Sequence, residues 1–210
     1  MAFQKLEQDV PGFQADTEAL ARKYMRGADP TPADIADAGA KVVGRYVDGT
    51  PAVAEEAARQ GKQGAFPNDF DLDNVDAYGV ACPFHAHVRR MNPRHALNGD
   101  PSELSPRIAR RGIPYGTPDA GPNIGLLFMS MQARLSQFDE LLMDADQKDF
   151  PRTRVNNAWG TDTIIGRPNA LVDHHWRLQR YLKIIHRFER HVTFLGGGYF
   201  HFPSMAFWGP

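Results

Sequence analysis

Apolar residues recur at helical spacing through residues 13–26, where Phe13, Leu20, Ala21, Tyr24 and Met25 share one side, and the pattern predicts a first helix. Gly27 and the Asp29-Pro30 pair end it. A second helix is predicted from Thr31, with the hydroxyl as N-cap, Pro32 at the first helical position and Asp34 near the positive end of the dipole. Ile35, Ala38, Val42 and Val43 make its apolar face. After Gly49-Thr50-Pro51 the run PAVAEEAARQ predicts a short third helix.

From Gly61 to Tyr78 periodicity gives way to Gly, Pro, Asn and Asp, and residues 79–123 continue as turns punctuated by seven prolines. Such a segment makes no core of its own and needs a scaffold or a ligand to lie on. The scaffold begins at Ile124–Met131, a nearly continuous apolar run of strand length, followed by an amphipathic helix over 133–144 with Leu135, Phe138, Leu141 and Leu142 on one side. Residues 147–170 are loop-like. Residues 171–191 again have helical spacing, through Trp176, Leu178, Tyr181, Leu182, Ile185 and Phe188. Val192–Leu195 and Tyr199–Phe202 predict two strands turning around Gly196-Gly197-Gly198. Helices beside antiparallel strands define an α+β class. The organisation expected is a helical N-terminal or linker segment over 1–60 and a ligand-binding domain over 61–210.

Composition narrows the function classes. The 210 residues are 42% hydrophobic and 23% charged with a net charge of −1, so no basic field recruits nucleic acid and no run is long enough to span a membrane. The single cysteine, Cys82, forms no internal disulfide and leaves no CxxCH motif for covalent haem. The N-terminus has no apolar signal region, and a cytoplasmic location is the expectation. Charge is uneven along the chain. Arg89, Arg90, Arg94, Arg107, Arg110 and Arg111 follow soon after a stretch, 65–76, that carries four Asp and no Lys or Arg. A cluster of guanidinium groups this local suits a small polyanion better than a long one.

The same arginine-rich stretch holds His85-Ala86-His87. Two histidines at i, i+2 on an extended segment share a face and are able to chelate zinc, yet no second ligand pair with zinc spacing follows. Haem asks for a different set: one neutral imidazole for the iron, an apolar slot and cations near the propionates. Phe84 and Met91 supply apolar neighbours, and Arg89, Arg90 and Arg94 are candidate propionate partners. The remaining histidines read as solvated or strand residues: His174 and His175 at a helix start, His186 and His191 among charges, and His201 in a strand.

CPFHAHVRRMNPR resembles the proximal-histidine motif of dye-decolourising peroxidases, CPF-x-x-H-x-R-x-x-NPR, and the register puts the iron ligand on His87 rather than His85. RRGIPYG resembles the family segment R-x-G-I-P-Y-G, which places the distal arginine at Arg110 rather than Arg111. VVGRYVDGTP, NDFDLDN, GLLFMSMQA and VTFLGGGYFHFPS continue the resemblance in the same order. It implies a ferredoxin-like antiparallel sheet with helices, of the dimeric α+β barrel type, holding non-covalent haem b in its 61–210 part. Leu126 and Phe128 would line the distal pocket, and H2O2 would oxidise an organic reductant. Bulky reductants would give electrons through surface aromatics, with Trp159, Trp176, Trp208 and Tyr199 the candidates by type.

Two family features are not matched. The GxxDG motif that supplies a distal aspartate does not occur in this sequence, and the resemblance covers only the C-terminal half of the family's usual length. The chain is therefore expected to self-associate or to pair with an N-terminal-half partner. A haem-binding, non-peroxidatic regulatory subunit of a split enzyme is the alternative. The carboxylate expected behind His87 is Glu189, the one acid close to the final glycine-rich segment.

Overall fold

The computed structural model describes residues 1–54, 72–92, 107–117, 123–147, 160–167, 173–201 and 203. In chain order the strands are β1 (Ala2–Gln8), β2 (Ala109–Tyr115), β3 (Gly125–Met131), β4 (His174–Arg177), β5 (Lys183–His186) and β6 (Val192–Tyr199). The helices are α1 (Val10–Tyr24), α2 (Pro32–Val43), α3 (Leu72–Val75), α4 (His87–Met91) and α5 (Ser136–Asp146). Four strands form one antiparallel sheet in the order β2-β3-β1-β6, and β4 and β5 form a separate hairpin. The class is α+β, as expected. Among the described residues no helix is long and apolar enough to cross a membrane.

Local chemistry explains the two long helices. Asp9 caps α1 by accepting from Gly12 N at 3.0 Å. Thr31 and Asp34 close a capping box on α2, with Thr31 N to Asp34 Oδ2 at 2.8 Å and Asp34 N to Thr31 Oγ1 at 3.3 Å. Their apolar faces meet in a core of Leu20, Ala21, Ala38, Val42, Trp176 and Phe188. Of the short helix expected over 51–60, residues 52–54 are helical and the remainder lies outside the described residues.

Three elements differ from expectation. Residues 2–8, expected inside a helical linker, form an inner strand, because β3 on one side and β6 on the other take up backbone groups that a weak alternating pattern did not advertise. The predicted helix over 171–191 is the β4–β5 hairpin. His174 and Trp176 point inward two residues apart, while Tyr181, Leu182 and Ile185 stay exposed, so the strand period decides burial here. The predicted glycine turn in the last segment is one continuous strand. A Cβ at Gly197 would lie 2.2 Å from Phe3 O, so glycine admits β1 where any side chain would block pairing. Pairing slips between Lys5 and Leu6, leaving Leu195 as the extra residue of a bulge.

Register sorts the sheet's side chains. Arg110, Leu126, Phe128, Gln4 and Tyr199 share one face; Arg111, Ile113, Leu127 and Met129 share the other. Helix α5 lies over the first face, where the Phe138 ring stacks on Phe128 at 6.1 Å and meets Tyr199 edge-on at 6.3 Å. Its other end reaches the histidine-bearing segment.

Candidate functional site

His87 is the first residue of α4, preceded by Ala86 in extended conformation. Its Nδ1 lies 2.9 Å from Asp162 Oδ2 and 3.2 Å from Oδ1. The Asp162 side chain is fully buried, whereas the His87 side chain is 29% exposed. An imidazole that gives Nδ1–H to a buried carboxylate keeps its lone pair on Nε2, the opposite edge of the ring. The arrangement is that of a metal-ligating histidine.

Asp162 is held from several directions. Its Oδ1 accepts from Ile164 N and Ile165 N, both at 2.8 Å, and its own N–H donates to Ala145 O at the end of α5 at 2.9 Å. Thr163 Oγ1 donates to Val42 O at 2.8 Å, and Thr163 N to His85 O at 3.2 Å. The short segment is thus stapled between α2 and the turn before α4. Burial alone would raise the Asp162 pKa; the neighbouring His87, with the Ile165 and Ile164 N–H groups, outweighs it and holds the carboxyl below its ordinary value. The acid is ionised when it orients His87.

The turn that presents α4 is built on Asp76. Its carboxylate accepts from Val80 N and Cys82 N, both at 2.8 Å. Arg89 donates to Asp76 O at 3.0 Å and Cys82 O at 2.8 Å, and its guanidinium lies 4.2 Å from the Phe84 ring centre. Arg89, expected beside a propionate, is 2% exposed and is committed to this turn. Arg90 is likewise buried; its Nε donates to Asp144 O at 2.8 Å and its Nη2 to Gln147 O, tying α4 to α5. Arg94 lies outside the described residues. Cys82 is buried, its thiol pushed up to about 12 by that burial.

The neighbouring histidine has another part. His85 is 1% exposed, with its ring 5.0 Å from that of His174 and 4.4 Å from Trp176. His85 and His87 therefore point to different surroundings. Among the described residues no group of three His, Cys, Asp or Glu side chains is placed to hold a metal. Gly160, at φ +131°, passes the chain between these rings; a Cβ there would come 2.7 Å from His174 Cδ2.

His174 also carries a pH prediction. Its Nε2–H donates to Thr161 O at 3.2 Å, its Nδ1 accepts from Phe188 N at 3.3 Å, and burial lowers its pKa from 6.5 to about 4. The unfolded chain takes up a proton below about pH 6.5 that the folded chain refuses. Stability fully present at neutral pH is thus lost as pH falls toward 4, by about 3 kcal/mol from this residue. Urea midpoints followed from about pH 7 to about pH 4.5 are expected to fall steeply in the native chain and less steeply in His174→Gln.

On the sheet, Arg110 and Arg111 project to opposite faces, and Arg110 is exposed on the face it shares with the partly buried Leu126 and Phe128. Helix α5 joins the two halves of the site. Phe138 near its start packs on Phe128, while Ala145 and Asp144 at its end hold Asp162 and Arg90. A carboxylate-bound imidazole on one element, and a cation beside apolar residues on another, fit the needs of an iron porphyrin.

Sequence reasoning missed Asp162 and named Glu189 instead. Glu189 is exposed, and its backbone N–H donates to Asp16 Oδ2 at 2.6 Å, so it anchors β5 to α1 far from His87 in role. One local signal for Asp162 existed: an Asp followed by residues whose N–H groups it accepts at i+2 and i+3, in a run bounded by Gly160 and Gly166.

No protein-family model matches the chain. Curated relatives do. The multifunctional dye peroxidase DyP2 of Amycolatopsis sp. is 33% identical over 225 residues, covering 98% of this chain and 47% of the relative. The dye-decolorizing peroxidase AauDyP1 of Auricularia auricula-judae is 33% identical over 196 residues, covering 81% of this chain and 37% of the relative. Among solved structures, a dye-decolorizing peroxidase in complex with 2,6-dimethoxyphenol matches with a TM-score of 0.74 at 28% identity, over 93% of this chain and 47% of that one. The DyP-type peroxidase AnaPX of Anabaena sp. matches with a TM-score of 0.71 at 26% identity, over 93% of this chain and 42% of that one. The chain belongs to the dye-decolourising peroxidase family. It spans less than half the length of each of these relatives.

Proposed function

We propose that this chain carries the haem-binding, peroxide-activating part of a dye-decolourising peroxidase, with haem b held by His87 and H2O2 used to oxidise an organic reductant. The observation that carries the reading is the His87–Asp162 pair, a partly exposed imidazole whose Nδ1 is taken by a fully buried carboxylate. When bound, haem supplies an iron with one open position for peroxide and the redox chemistry that splits the O–O bond.

The chain's own residues set the conditions for that chemistry. Asp162 fixes the His87 tautomer and makes Nε2 a more basic donor. Arg110 stays protonated at every relevant pH and offers fixed N–H donors to oxygens carrying developing negative charge. Leu126 and Phe128 supply apolar surface beside it on the same face of the sheet. The reading extends to assembly: β2 is an edge strand whose residues 109–114 are all exposed, and a second copy or another chain would pair or cover it. Light scattering on the intact chain gives the mass that tests this part.

The test of the activity is a visible spectrum of the chain expressed with haem, before and after peroxide. A Soret band that changes on adding H2O2 is expected. In Arg110→Leu the band should remain while the peroxide-dependent change slows by ~10²–10³-fold, the usual loss for one charge-stabilising donor. A haem spectrum that ignores peroxide in the unmutated chain would move the reading to a haem-binding subunit without peroxidase activity.

A further inference from the structure

Residues 174–187, HHWRLQRYLKIIHR, hold four Arg or Lys and no Asp or Glu. Strand pairing gives this β4–β5 hairpin two sides. His174, Trp176, Ile184 and His186 form the inner one, with Trp176 in the core and Ile184 packed against it. Trp176, a candidate surface electron donor by type, is instead fully buried, and its Nε1–H donates to His186 O at 2.9 Å. Trp159 and Trp208, the other two tryptophan candidates, lie outside the described residues. His175, Arg177, Lys183 and Ile185 form the outer side, and the turn between the strands carries Arg180, Tyr181 and Leu182.

The hairpin's end is exposed without a break from residue 179 to residue 183. Tyr181 is 84% exposed, Ile185 52% and Leu182 44%, in a chain that buries its other large side chains around Trp176. Charge is sorted along the hairpin. Acids stand at its base, where Asp16 Oδ1 lies 2.8 Å from His186 Nε2 and Arg187 donates to Asp173 at 3.1 Å. Nearer the tip, Arg177, Arg180 and Lys183 have no carboxylate partner among the described residues.

The tip is also preformed. Leu178 N and Gln179 N donate to Leu182 O at 2.9 and 3.2 Å, and Arg177 Nη1 donates to Arg180 O at 2.6 Å. Lys23 of α1 donates to Ile185 O at 3.0 Å. The Arg180 guanidinium lies 4.4 Å from the Tyr78 ring centre and 4.9 Å from that of Tyr181. A turn whose backbone groups are already bonded to one another loses less on leaving water, and a shape already held needs no ordering on binding.

We propose that the β4–β5 hairpin docks the chain on an anionic lipid surface, with Tyr181 and Leu182 entering the headgroup boundary and Arg177, Arg180 and Lys183 lying against the headgroups. This is a peripheral contact and not a span, and it does not depend on haem. The unpaired cations decide the sign of the partner. The shape decides its kind: five consecutive exposed residues at the end of a hairpin make a convex tip, with no groove to receive an acidic peptide. A soft interface takes such a tip. Tyrosine suits headgroup depth, ring inward and hydroxyl in water, while arginine and lysine lay apolar stems along the boundary and keep their charges among the headgroups. The chain's net charge of −1 does not oppose this, because exposed charges more than ~10 Å from the surface are largely screened. Each cation at an anionic surface strengthens binding about fivefold, so three favour anionic over neutral lipid by ~10²-fold.

The test is co-sedimentation of the full chain with vesicles of phosphatidylcholine alone, or with about a third phosphatidylserine. Binding is expected on the mixed vesicles and not on the neutral ones, falling more than tenfold between about 0.05 and 0.5 M salt. Arg180→Ala with Lys183→Ala should weaken it ~20–30-fold. Tyr181→Ser with Leu182→Ser should weaken it severalfold at unchanged charge. All four side chains are exposed, so the fold is kept, and Arg134→Ala, at an exposed cation outside the hairpin, should change nothing. No binding to the mixed vesicles, or an equal loss in Arg134→Ala, overturns the proposal. So does soluble polyglutamate binding the chain while Tyr181→Ser with Leu182→Ser leaves vesicle binding intact, which would make the hairpin a surface for acidic peptides.

Discussion

Replacing His87 by alanine is expected to remove the Soret band of the haem-supplied chain and to leave its far-ultraviolet circular dichroism unchanged. The ring is the only part of the pair that faces outward, at 29% exposure, while Asp162 keeps two backbone donors, Ile164 N and Ile165 N, when the imidazole is gone. The cost to the fold is therefore about that of one charge-assisted hydrogen bond, about 1.5–3 kcal/mol. Added imidazole should restore part of the band by filling the space the side chain leaves. A band of native height in His87→Ala would sink the ligand assignment. His85→Ala is the contrasting variant. It empties a site beside Trp176 and His174 in the core, so it should lower the denaturation midpoint first and haem content only as a consequence.

Asp162 separates charge from packing. Asp162→Asn keeps Oδ1 for the two isoleucine N–H groups, so the fold should survive, but the carboxylate oxygen 2.9 Å from His87 Nδ1 and the negative charge behind the imidazole are gone. A less basic axial ligand leaves the iron more easily reduced. The ferric/ferrous midpoint is expected to move to a more positive potential, and the peroxide reaction to slow by ~10–100-fold, the usual cost of losing a ligand's supporting carboxylate. Spectroelectrochemistry reads the first and stopped-flow absorbance the second. An unmoved potential would mean that Asp162 is only a structural staple. Asp162→Ala adds the packing loss, leaving buried N–H groups unpaired, and should cost about 3–5 kcal/mol in chemical denaturation. Because the acid's pKa is held down in the fold, its contribution is present above the ordinary carboxylate range and disappears as pH falls through the lowered value. Comparing acid unfolding of the native chain and Asp162→Asn isolates it.

The two variants rest on residues of unequal legibility. His87 is readable as a candidate because its motif is contiguous: the turn residues before it, the helix after it and the candidate ligand are all within one short run, so local chemistry and motif register suffice. Arg110 is readable for a related reason. Adjacent residues of a strand face opposite ways, so once the register is known only one of Arg110 and Arg111 can join Leu126 and Phe128. The capped ends of α1 and α2 are of the same kind, since Asp9, Thr31 and Asp34 act on backbone groups within three residues.

Asp162 could not be chosen that way. It sits 75 positions from its partner in a loop-like stretch, and only three separate tethers, to Ala145, Val42 and His85, bring it under His87. Glu189 lies nearer to the final glycine-rich segment in sequence, but its backbone is tied to Asp16 on α1. Arg89 shows the same limit. Its place in the motif suggested a surface cation, yet the buried carboxylate and carbonyl of Asp76 claim it inside the turn.

Sheet membership divides along the same line. The apolar run at 124–131 needs no partner to be recognised, because its near-continuous apolar side chains of strand length are signal enough, although most of them are only partly buried. Residues 2–8 become a strand only through neighbours more than a hundred residues away, and Gly197 becomes a strand residue only because Phe3 approaches too closely for a side chain. By itself, then, the sequence determined the iron-ligand candidate, the face of Arg110 and the capped helices, all of which depend on neighbours a few residues apart. The tertiary structure alone decided the carboxylate behind His87 and the inner strand β1, because each arises where distant segments share hydrogen bonds or exclude one another's side chains.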